Sequence, residues 1–312
     1  MSRQPPSVSV IICAYTERRW RDLAAAVRSA ADQSVAPLEV IVVSDHNMEL
    51  HERAWRELPE ALVLYNDEQR GLSGARNTGV RAARGDVLAF LDDDAVAAPD
   101  WLAHLLAPSG DPAVIGVGGS IEPLWPAARP RFMPDEFDWV VGCTYRGMPT
   151  TTSPVRNLIG ANMSVRRDVF EAVGGFRTDV GRVGTRPVGC EETELCIRAA
   201  QRMPGTRMVF APRAAVRHRV TDERAGWRYF RDRCWSEGLS KAVVSRHAGR
   251  ADGLSSERRS VTSTLPRGVA RAMRDTVTRR DASGVARAAA IVAGLTITTA
   301  GYAAGTVRGH LS

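Results

Sequence analysis

Lysine is almost absent from this sequence: Lys241 is the only one, and the other 41 of the 42 basic residues are arginine. Cysteine is scarce too, with five residues, an odd number, and no C-x-x-C pair. The sequence therefore supports neither a disulfide framework nor a zinc module, and a reducing, cytoplasmic compartment is expected. The N-terminus has no apolar run of signal-peptide length before its first strand-like segment, so secretion through a cleaved signal is not expected.

Two phosphate-binding signatures are also missing. The segment 71–86 begins with two glycines, Gly71 and Gly74, and a serine ahead of a predicted helix, so its backbone N–H groups can face a phosphate. It contains neither G-x-G-x-x-G nor the G-K-[ST] ending. Dinucleotide-binding and P-loop enzymes are thereby excluded.

The positive charge of the chain is concentrated at one end. An apolar share of 44% and a charged share of 25% are typical of a soluble globular protein and exclude fibrous and disordered classes. Residues 1–222 hold 26 Arg and Lys against 28 Asp and Glu, whereas residues 223–312 hold 16 against 7. The whole net charge of +7 therefore comes from the last 90 residues. A basic tail on a near-neutral body indicates an anionic partner surface.

The body of the chain alternates apolar, β-rich runs with helical stretches. Four such runs lie at 7–13, 38–44, 61–66 and 86–91. This alternation predicts a mostly parallel sheet with helices on both faces, and the first 110 residues are typical of a nucleotide-binding sheet. Residues 111–222 are mixed, with a helix predicted at 191–202 and a short strand at 208–212.

Three adjacent carboxylates, Asp92, Asp93 and Asp94, follow a buried strand, where ligands of open α/β sheets bind. Adjacent carboxylates repel each other, and a bound cation relieves that repulsion. A hard divalent ion such as Mg2+ or Mn2+ suits such ligands and completes its shell with phosphate and water oxygens. A solvated turn is the alternative interpretation.

A second acidic cluster, Glu191, Glu192 and Glu194, opens the helix at 191–202. Carboxylates there interact favourably with the helix dipole, so helix capping is one interpretation, and a general base is the other. His218 follows a strand-like segment. From the sequence alone it is either a metal ligand or a buried, hydrogen-bonded histidine.

The last 90 residues differ in kind, so we divide the chain into a body, 1–222, with halves 1–110 and 111–222, and a helical region, 223–312. Within that region apolar residues recur every four positions among arginines, which predicts a basic amphipathic helix. These apolar residues are Leu265, Val269, Met273 and Val277.

Residues 288–307 contain no charge over 20 positions. Gly301 and Gly305 have the G-x-x-x-G spacing that allows close packing against another helix. With the basic helix before it, this segment predicts peripheral attachment to the anionic inner face of the cell membrane. A membrane-spanning helix and a helical lid over the body are the alternatives.

Six motifs occur in a fixed order between Ser7 and Val220: SVSVIICAYTE, VIVVSDH, GLSGARNTG, FLDDD, GANMSVRRDVFEAVGGF and GCEETEL. In this order they resemble the large inverting glycosyltransferase family that has the GT-A fold and uses nucleotide-sugar donors. The resemblance covers some two-thirds of the chain. It implies an α/β fold, Rossmann-like and mostly parallel, followed here by a helical C-terminal tail.

The resemblance assigns nucleotide-binding residues. Tyr15 and Asp45, at the ends of the first two strands, match the positions that hold the nucleobase, normally uracil. Arg76 lies in the segment near the nucleotide, with Arg70 as a neighbouring candidate. Asp93 completes the nucleotide-binding group.

The resemblance also implies a metal site and a sugar pocket. Asp92 and Asp94 match the two acids of the D-x-D motif, with Asp94 best placed to bind the Mn2+ or Mg2+ that bridges the donor's diphosphate, and His218 is a candidate further ligand. Gly160 and Asn162 match the loop that shapes the sugar and acceptor pocket.

The catalytic base implied by the resemblance is Glu192, where the family usually has the Asp of a Glu-Asp pair. The Glu191-Glu192 pair departs from that pattern and leaves Glu191 or Glu194 open as the base. The segment 231–235, R-D-R-C-W, does not reproduce the Q-x-x-R-W of processive synthases. Transfer of a single sugar is therefore predicted.

The implied activity is metal-dependent transfer from a nucleotide sugar to a glycan or lipid-linked acceptor, with no nucleic-acid partner. One alternative, a sugar-phosphate nucleotidyltransferase, needs a Gly-rich loop after the first strand, where this chain has AYTERRW. A second alternative is a membrane-associated scaffold without turnover. It would have no reason to retain three adjacent carboxylates.

Overall fold

The computed structural model describes residues 6–179, 189–248, 260–278 and 280–308. Two units are distinguished by their internal contacts. The sheet unit comprises residues 6–122, 149–179 and 191–218; the helical unit comprises 123–148, 189–190 and the described residues from 219 onwards. Residues 123–148 thus lie in the helical unit, although the sequence groups them with 111–222.

Within the described residues, nine strands form one mixed sheet. They are β1 (Val8–Ala14), β2 (Glu39–Ser44), β3 (Leu62–Tyr65), β4 (Val87–Asp92), β5 (Ala95–Ala97), β6 (Val114–Leu124), β7 (Ser153–Val155), β8 (Asn162–Arg166) and β9 (Arg207–Arg219). The order is β3-β2-β1-β4-β8-β6-β9-β5, with β7 beside β9. The first four strands pair in parallel, and β8 joins β4 antiparallel. The predicted α/β fold is confirmed, with an antiparallel part after β4.

The described part of the sheet unit contains six α-helices. They are α1 (Trp20–Ala31), α2 (Met48–Glu57), α3 (Leu72–Ala82), α4 (Trp101–Leu106), α5 (Arg167–Val173) and α6 (Glu191–Arg202). The start of α2 has a local cause, because the Asn47 side chain accepts a hydrogen bond from the Leu50 N–H at 3.0 Å and caps the helix. The helix predicted at 191–202 is confirmed as α6.

The core of the sheet unit packs α6, which begins with three glutamates, against β4, which ends at Asp92. β1, β2 and β4 are buried over almost their whole length, as expected for parallel strands covered on both faces. Phe90 on β4 meets Phe176 edge to face, with ring centroids 5.4 Å apart, and Leu195 of α6 belongs to the same buried cluster. This packing fixes the first turn of α6 relative to the end of β4.

Strand β9 is longer than the predicted 208–212. It continues to Arg219, and its second half alternates in burial: Ala214, Val216 and His218 are buried, Ala215 is half-buried, and Arg217 and Arg219 are exposed. Such alternation is typical of a strand with one face in solvent. The extension carries His218 into the sheet.

The helical unit contains α7 (Trp227–Ala248), α8 (Leu265–Thr278) and α9 (Ser283–Arg308). Helices α7 and α9 approach closely, since a Cβ built on Gly301 would lie 2.4 Å from the Trp235 carbonyl oxygen, and one on Gly238 would lie 2.2 Å from the Thr298 carbonyl oxygen. The G-x-x-x-G spacing therefore serves packing within the protein. By length and composition alone, Ser283–Val307 is also able to cross a membrane, and 33% of its most apolar window is buried.

The buried face of α8 differs from the predicted apolar stripe. Leu265, Gly268 and Ala272 are buried, whereas Met273 and Val277 are exposed. A spacing of four residues turns by about 40° more than a full helical turn at each step, so the stripe winds away from the buried side. The small residues allow other elements of the helical unit to approach the helix.

Candidate active site

The turn between β4 and β5 brings three potential metal ligands together. Asp92 ends β4, and Asp94 immediately precedes β5, in which Ala95 is paired with His218 of β9. This register sets the His218 Nε2 atom 2.9 Å from the Asp94 Oδ1 atom. One ligand atom each from Asp92, Asp94 and His218 lie within 4.8 Å of one another.

These side chains fit a divalent cation. Two carboxylates and an imidazole supply oxygen and nitrogen ligands, which suit Mn2+ and other first-row divalent ions, and carboxylates also suit Mg2+. Asp94 and His218 are buried, whereas Asp92 is half-buried and faces solvent in part. The half-buried Asp92 leaves this group of ligands accessible from solvent.

Arg19 contacts the same acidic turn. Its Nη1 atom lies 2.7 Å from the Asp94 Oδ2 atom and 3.0 Å from the Asp93 Oδ1 atom. The guanidinium also lies over the Tyr15 ring, 4.9 Å from its centroid. Burial alone would lower the pKa of Arg19, but the two carboxylates outweigh it and raise that pKa. Arg19 thus supplies positive charge where a cation is expected.

A buried arginine joins the acidic turn to the acidic helix. Arg76 on α3 is 3% exposed. Its Nη1 donates to the Glu191 Oε1 atom at 2.9 Å, and its Nη2 donates to the Gly160 carbonyl at 3.1 Å and lies 3.7 Å from the Asp92 Oδ1 atom. Burial opposes the charge on Arg76, but Glu191, Asp92 and Glu192 together raise its pKa.

The three glutamates of α6 have different surroundings. Glu191 is buried against Arg76, and Glu194 is buried in a two-pronged ion pair with Arg198, at 2.9 and 2.8 Å. Glu192 is half-buried, more exposed than either neighbour. The carboxylates of Glu191 and Glu194 are therefore each held by an arginine guanidinium.

The predicted base-binding residues lie at the ends of β1 and β2. Tyr15 is 37% exposed. Asp45 is buried, and its carboxylate accepts hydrogen bonds from the Gly71 N–H at 3.0 Å and the Asn66 side chain at 2.7 Å. Asp45 thereby holds the loop that leads into α3. Arg70, at the end of that loop, is exposed. A nucleobase contact by these residues stays a prediction.

Gly160 and Asn162 have structural tasks that the sequence does not reveal. A Cβ on Gly160 would lie 2.6 Å from the Arg76 Nη2 atom, so only glycine admits the buried guanidinium. The fully buried Asn162 side chain accepts from the Trp101 indole N–H at 2.7 Å and donates to the Ser120 and Ala214 carbonyls, both at 2.8 Å. Their role in a sugar pocket stays a prediction.

Cys13, at the end of β1, does not provide a nucleophile. Burial raises the pKa of its thiol to about 12, despite the opposing charge of Arg76. The thiol is therefore neutral near pH 7, and only the thiolate attacks.

The sequence profile of Glycosyl transferase family 2 matches residues 9–174, more than half of the chain. The glucosyl-dolichyl phosphate glucuronosyltransferase of Haloferax volcanii is 37% identical over 241 residues, which cover 76% of this chain and 77% of that relative. The chain belongs to glycosyl transferase family 2. As a glycosyltransferase, it is not the nucleotidyltransferase or the inactive scaffold that the sequence left as alternatives.

Two solved glycosyltransferases are similar to this chain in fold, the GT-A fold. The mannosyltransferase PcManGT from Pyrobaculum calidifontis, in complex with GDP-Man and Mn2+, gives a TM-score of 0.57 at 20% identity and covers 95% of this chain and 88% of that one. GalNAc-T7 with UDP, GalNAc and Mn2+ gives 0.54 at 18% identity and covers 76% and 48%. At these identities the likeness concerns the fold.

Proposed function

We propose that this glycosyltransferase transfers one sugar, with inversion at the anomeric carbon, from a nucleoside-diphosphate sugar to an acceptor hydroxyl in a metal-dependent reaction. The observation that supports this best is the position of Arg76, whose guanidinium lies 3.7 Å from Asp92 and 2.9 Å from Glu191. Glu191 directly precedes the proposed base, Glu192, so Arg76 connects the metal-binding turn to the start of α6. Metal-binding carboxylates and a base on one edge of the sheet are what displacement of a diphosphate requires.

The metal-binding residues are Asp92, Asp94 and His218. When bound, Mn2+ or Mg2+ supplies positive charge that stabilises the negative charge developing on the departing diphosphate. Arg19 adds a further positive charge beside Asp94. These residues thus orient the diphosphate and favour its departure.

Glu192 is the proposed base. It takes the proton of the acceptor hydroxyl as that oxygen forms a bond to the anomeric carbon and the bond from this carbon to the diphosphate oxygen breaks. No bond forms between the sugar and the enzyme, so a single displacement inverts the configuration. Glu192 is half-buried, whereas Glu191 and Glu194 are buried, and this greater exposure to an acceptor favours Glu192 over both.

The nucleotide is held by Tyr15, Asp45, Arg76 and Asp93. Tyr15 and Asp45 lie at the ends of adjacent parallel strands, the edge where nucleotides bind in such sheets. Arg76 positions Glu191 and Asp92, and the Gly160 carbonyl accepts from it. Gly160 and Asn162 then shape the sugar and acceptor pocket.

The donor is proposed to be a UDP-sugar, and the acceptor a lipid-linked or envelope glycan. The name of the Haloferax volcanii relative supports a lipid-linked acceptor, since that enzyme acts on glucosyl-dolichyl phosphate. The net charge of +9 over 223–312 and the long apolar helix α9 support a location at the inner face of the cell membrane.

The test is a panel of UDP- and GDP-sugars with the full chain, in Mn2+ and in EDTA. We expect turnover or slow donor hydrolysis only with the cation, and NMR of the first-formed sugar product should show an inverted anomeric centre. Asp94→Ala should lose this activity, whereas the exposed Asp100→Ala keeps it. Equal activity in EDTA, or retained configuration, would contradict the proposal.

A further inference from the structure

A cavity of about 540 Å3 lies within the helical unit, lined by the segment 129–136 with Arg146 and by residues of α8 and α9. Its arginines are Arg129, Arg131, Arg146, Arg271, Arg274 and Arg287. Its carboxylates are Asp135, Glu136 and Asp275. Arg129 and Arg287 also pair with Asp138 and Asp281, which do not line the cavity. Six arginines therefore face five carboxylates in the wall and directly behind it, which leaves one positive charge in excess. None of these residues belongs to the acidic site of the sheet unit.

The carboxylates hold part of this wall in place. Four arginines are anchored in the pairs Arg129–Asp135, Arg146–Asp135, Arg271–Glu136 and Arg287–Asp275. Over the part of the chain that the structure describes, no carboxylate is in ion-pair contact with Arg131 or Arg274, and both side chains are exposed. The cavity therefore has four arginines held by ion pairs and two more, Arg131 and Arg274, whose guanidinium groups can donate hydrogen bonds to a ligand.

The chemistry of the wall selects a phosphate. A guanidinium is planar and presents paired N–H donors that match the oxygens of a phosphate in two-pronged fashion. Several such groups around one space favour a ligand with more than one negative charge. The volume is in the range of small-molecule sites and holds more than a single phosphate group.

The cavity also lies at the start of the apolar helix. Ser283, Arg287 and Ile291 of α9 line it, whereas Val285 and Val292 of the same helix are exposed. Beyond Arg287 the helix carries no charge until Arg308. A cationic cavity beside an apolar helix suits a phosphate whose organic part is a hydrocarbon chain.

We propose that this arginine cavity binds a phosphate monoester or diphosphate group, presented by a lipid or by a soluble molecule. The inference does not depend on the transfer reaction. It assigns to the helical unit an anion site of its own.

The test uses the full chain in EDTA, without a nucleotide sugar, so that no cation can hold an anion at the acidic turn. Calorimetry with pyrophosphate measures the soluble source. Flotation with neutral vesicles containing a fixed share of either phosphatidic acid or polyprenyl phosphate measures the lipid source.

The informative variant is Arg131→Ala/Arg274→Ala, because both side chains are exposed and their removal leaves the anchored pairs intact. Its matched control is Arg228→Ala/Arg267→Ala, which removes two exposed arginines of the same unit that do not line the cavity. Circular dichroism and melting compare the folded state of both, and Arg131→Gln/Arg274→Gln repeats the test with longer side chains.

We expect the cavity variant to weaken binding at least about tenfold, the scale of one lost charged hydrogen bond, and the control by no more than about twofold. If the cavity variant binds more weakly than the control only to vesicles, the ligand is a lipid phosphate. If it binds more weakly only to pyrophosphate, the ligand is a soluble phosphate. Equal binding by the two variants in every arm, or no binding by the wild type, would overturn the proposal.

Discussion

The sheet unit and the helical unit differ in the sign of the charged side chains that surround their candidate sites. In the sheet unit, carboxylates are buried and arginines are brought to them: Asp93 and Asp94 are each 4% exposed, and Arg19 contacts both. In the helical unit, arginines outnumber the carboxylates around a cavity, and glycines allow the helices to approach. The acidic edge suits a cation, and the basic cavity suits an anion.

This contrast means that changes in the two units should have separable effects. Substitutions at the acidic edge should alter turnover and metal response. Substitutions in the helical unit should alter its stability or its binding of anions, and leave the chemistry of the donor site unchanged.

The largest expected effect is that of Glu192→Gln. The amide retains the shape but cannot accept a proton, so turnover should fall about 10²–10⁴-fold while the donor still binds. Steady-state kinetics with donor binding by calorimetry measures both. Glu191→Gln is the matched comparison. A large loss of kcat in Glu191→Gln, with little loss in Glu192→Gln, would show that Glu191 and not Glu192 is the base.

Arg19→Ala tests the buried charge of the acidic turn. It removes the guanidinium that Asp93 and Asp94 share, and breaking a buried ion pair lowers the free energy of unfolding by about 3–5 kcal/mol. Mn2+ should restore much of this loss, because a cation supplies the missing charge. Urea unfolding in EDTA and in Mn2+ measures the effect, with the exposed Arg18→Ala as control. A loss that Mn2+ does not reduce would argue against a cation site there.

The helical unit has its own pH dependence, centred on Glu237. Burial would raise the pKa of Glu237, but Lys241 at 3.1 Å and Arg233 at 2.9 Å outweigh it and lower that pKa to about 2 from an ordinary value of 4.5. Stability from this group is therefore present above about pH 4.5 and is lost as the pH falls towards 2, by about 3 kcal/mol in total.

Glu237→Gln removes this titration. Unfolding free energies measured at pH 6, 4 and 3 should converge between wild type and variant as the pH falls. A difference that stays constant over this range would show that the ion pairs of Glu237 do not stabilise the folded chain.

The smallest expected effect is that of Gly301→Ala. The added methyl group would lie 2.4 Å from the Trp235 carbonyl oxygen, so α7 and α9 must separate, and overpacking of this kind costs about 1–3 kcal/mol. Thermal unfolding measures it, with Ala300→Val on the exposed side of α9 as control. Nucleotide binding with Mn2+ should not change. A variant as stable as the wild type would exclude tight packing at this glycine.

Much of the fold could be predicted because its signals are local. The continuous apolar runs of β1, β2 and β4 and the helical spacing of 191–202 depend on neighbouring residues, and all four elements are where we predicted them. The predicted apolar face of α8 was wrong because residues spaced by four do not stay on one face of a helix. The small residues Gly268 and Ala272 are buried instead of Met273 and Val277.

The parts of the site that the sequence does not reveal depend on distant residues. Arg76 and Glu191 are 115 positions apart, and only the folded core brings them within 2.9 Å. Arg19 stands in AYTERRW, which follows β1 directly, and this position at the ligand-binding edge of the sheet is the one signal that could have drawn attention to it. The three hydrogen bonds of Asn162 likewise join β8 to α4, β6 and β9.

The most direct test of a metal-dependent transferase is the binding of Mn2+ itself, followed by electron paramagnetic resonance in the presence of a nucleoside diphosphate. We predict one bound Mn2+ per chain for the wild type, its loss in Asp94→Ala, and affinity weakened at least about tenfold in His218→Ala, as expected for removal of a ligand. Asp100→Ala should bind as the wild type does. Equal Mn2+ binding by all four proteins would contradict the assignment of Asp92, Asp94 and His218 as the metal site.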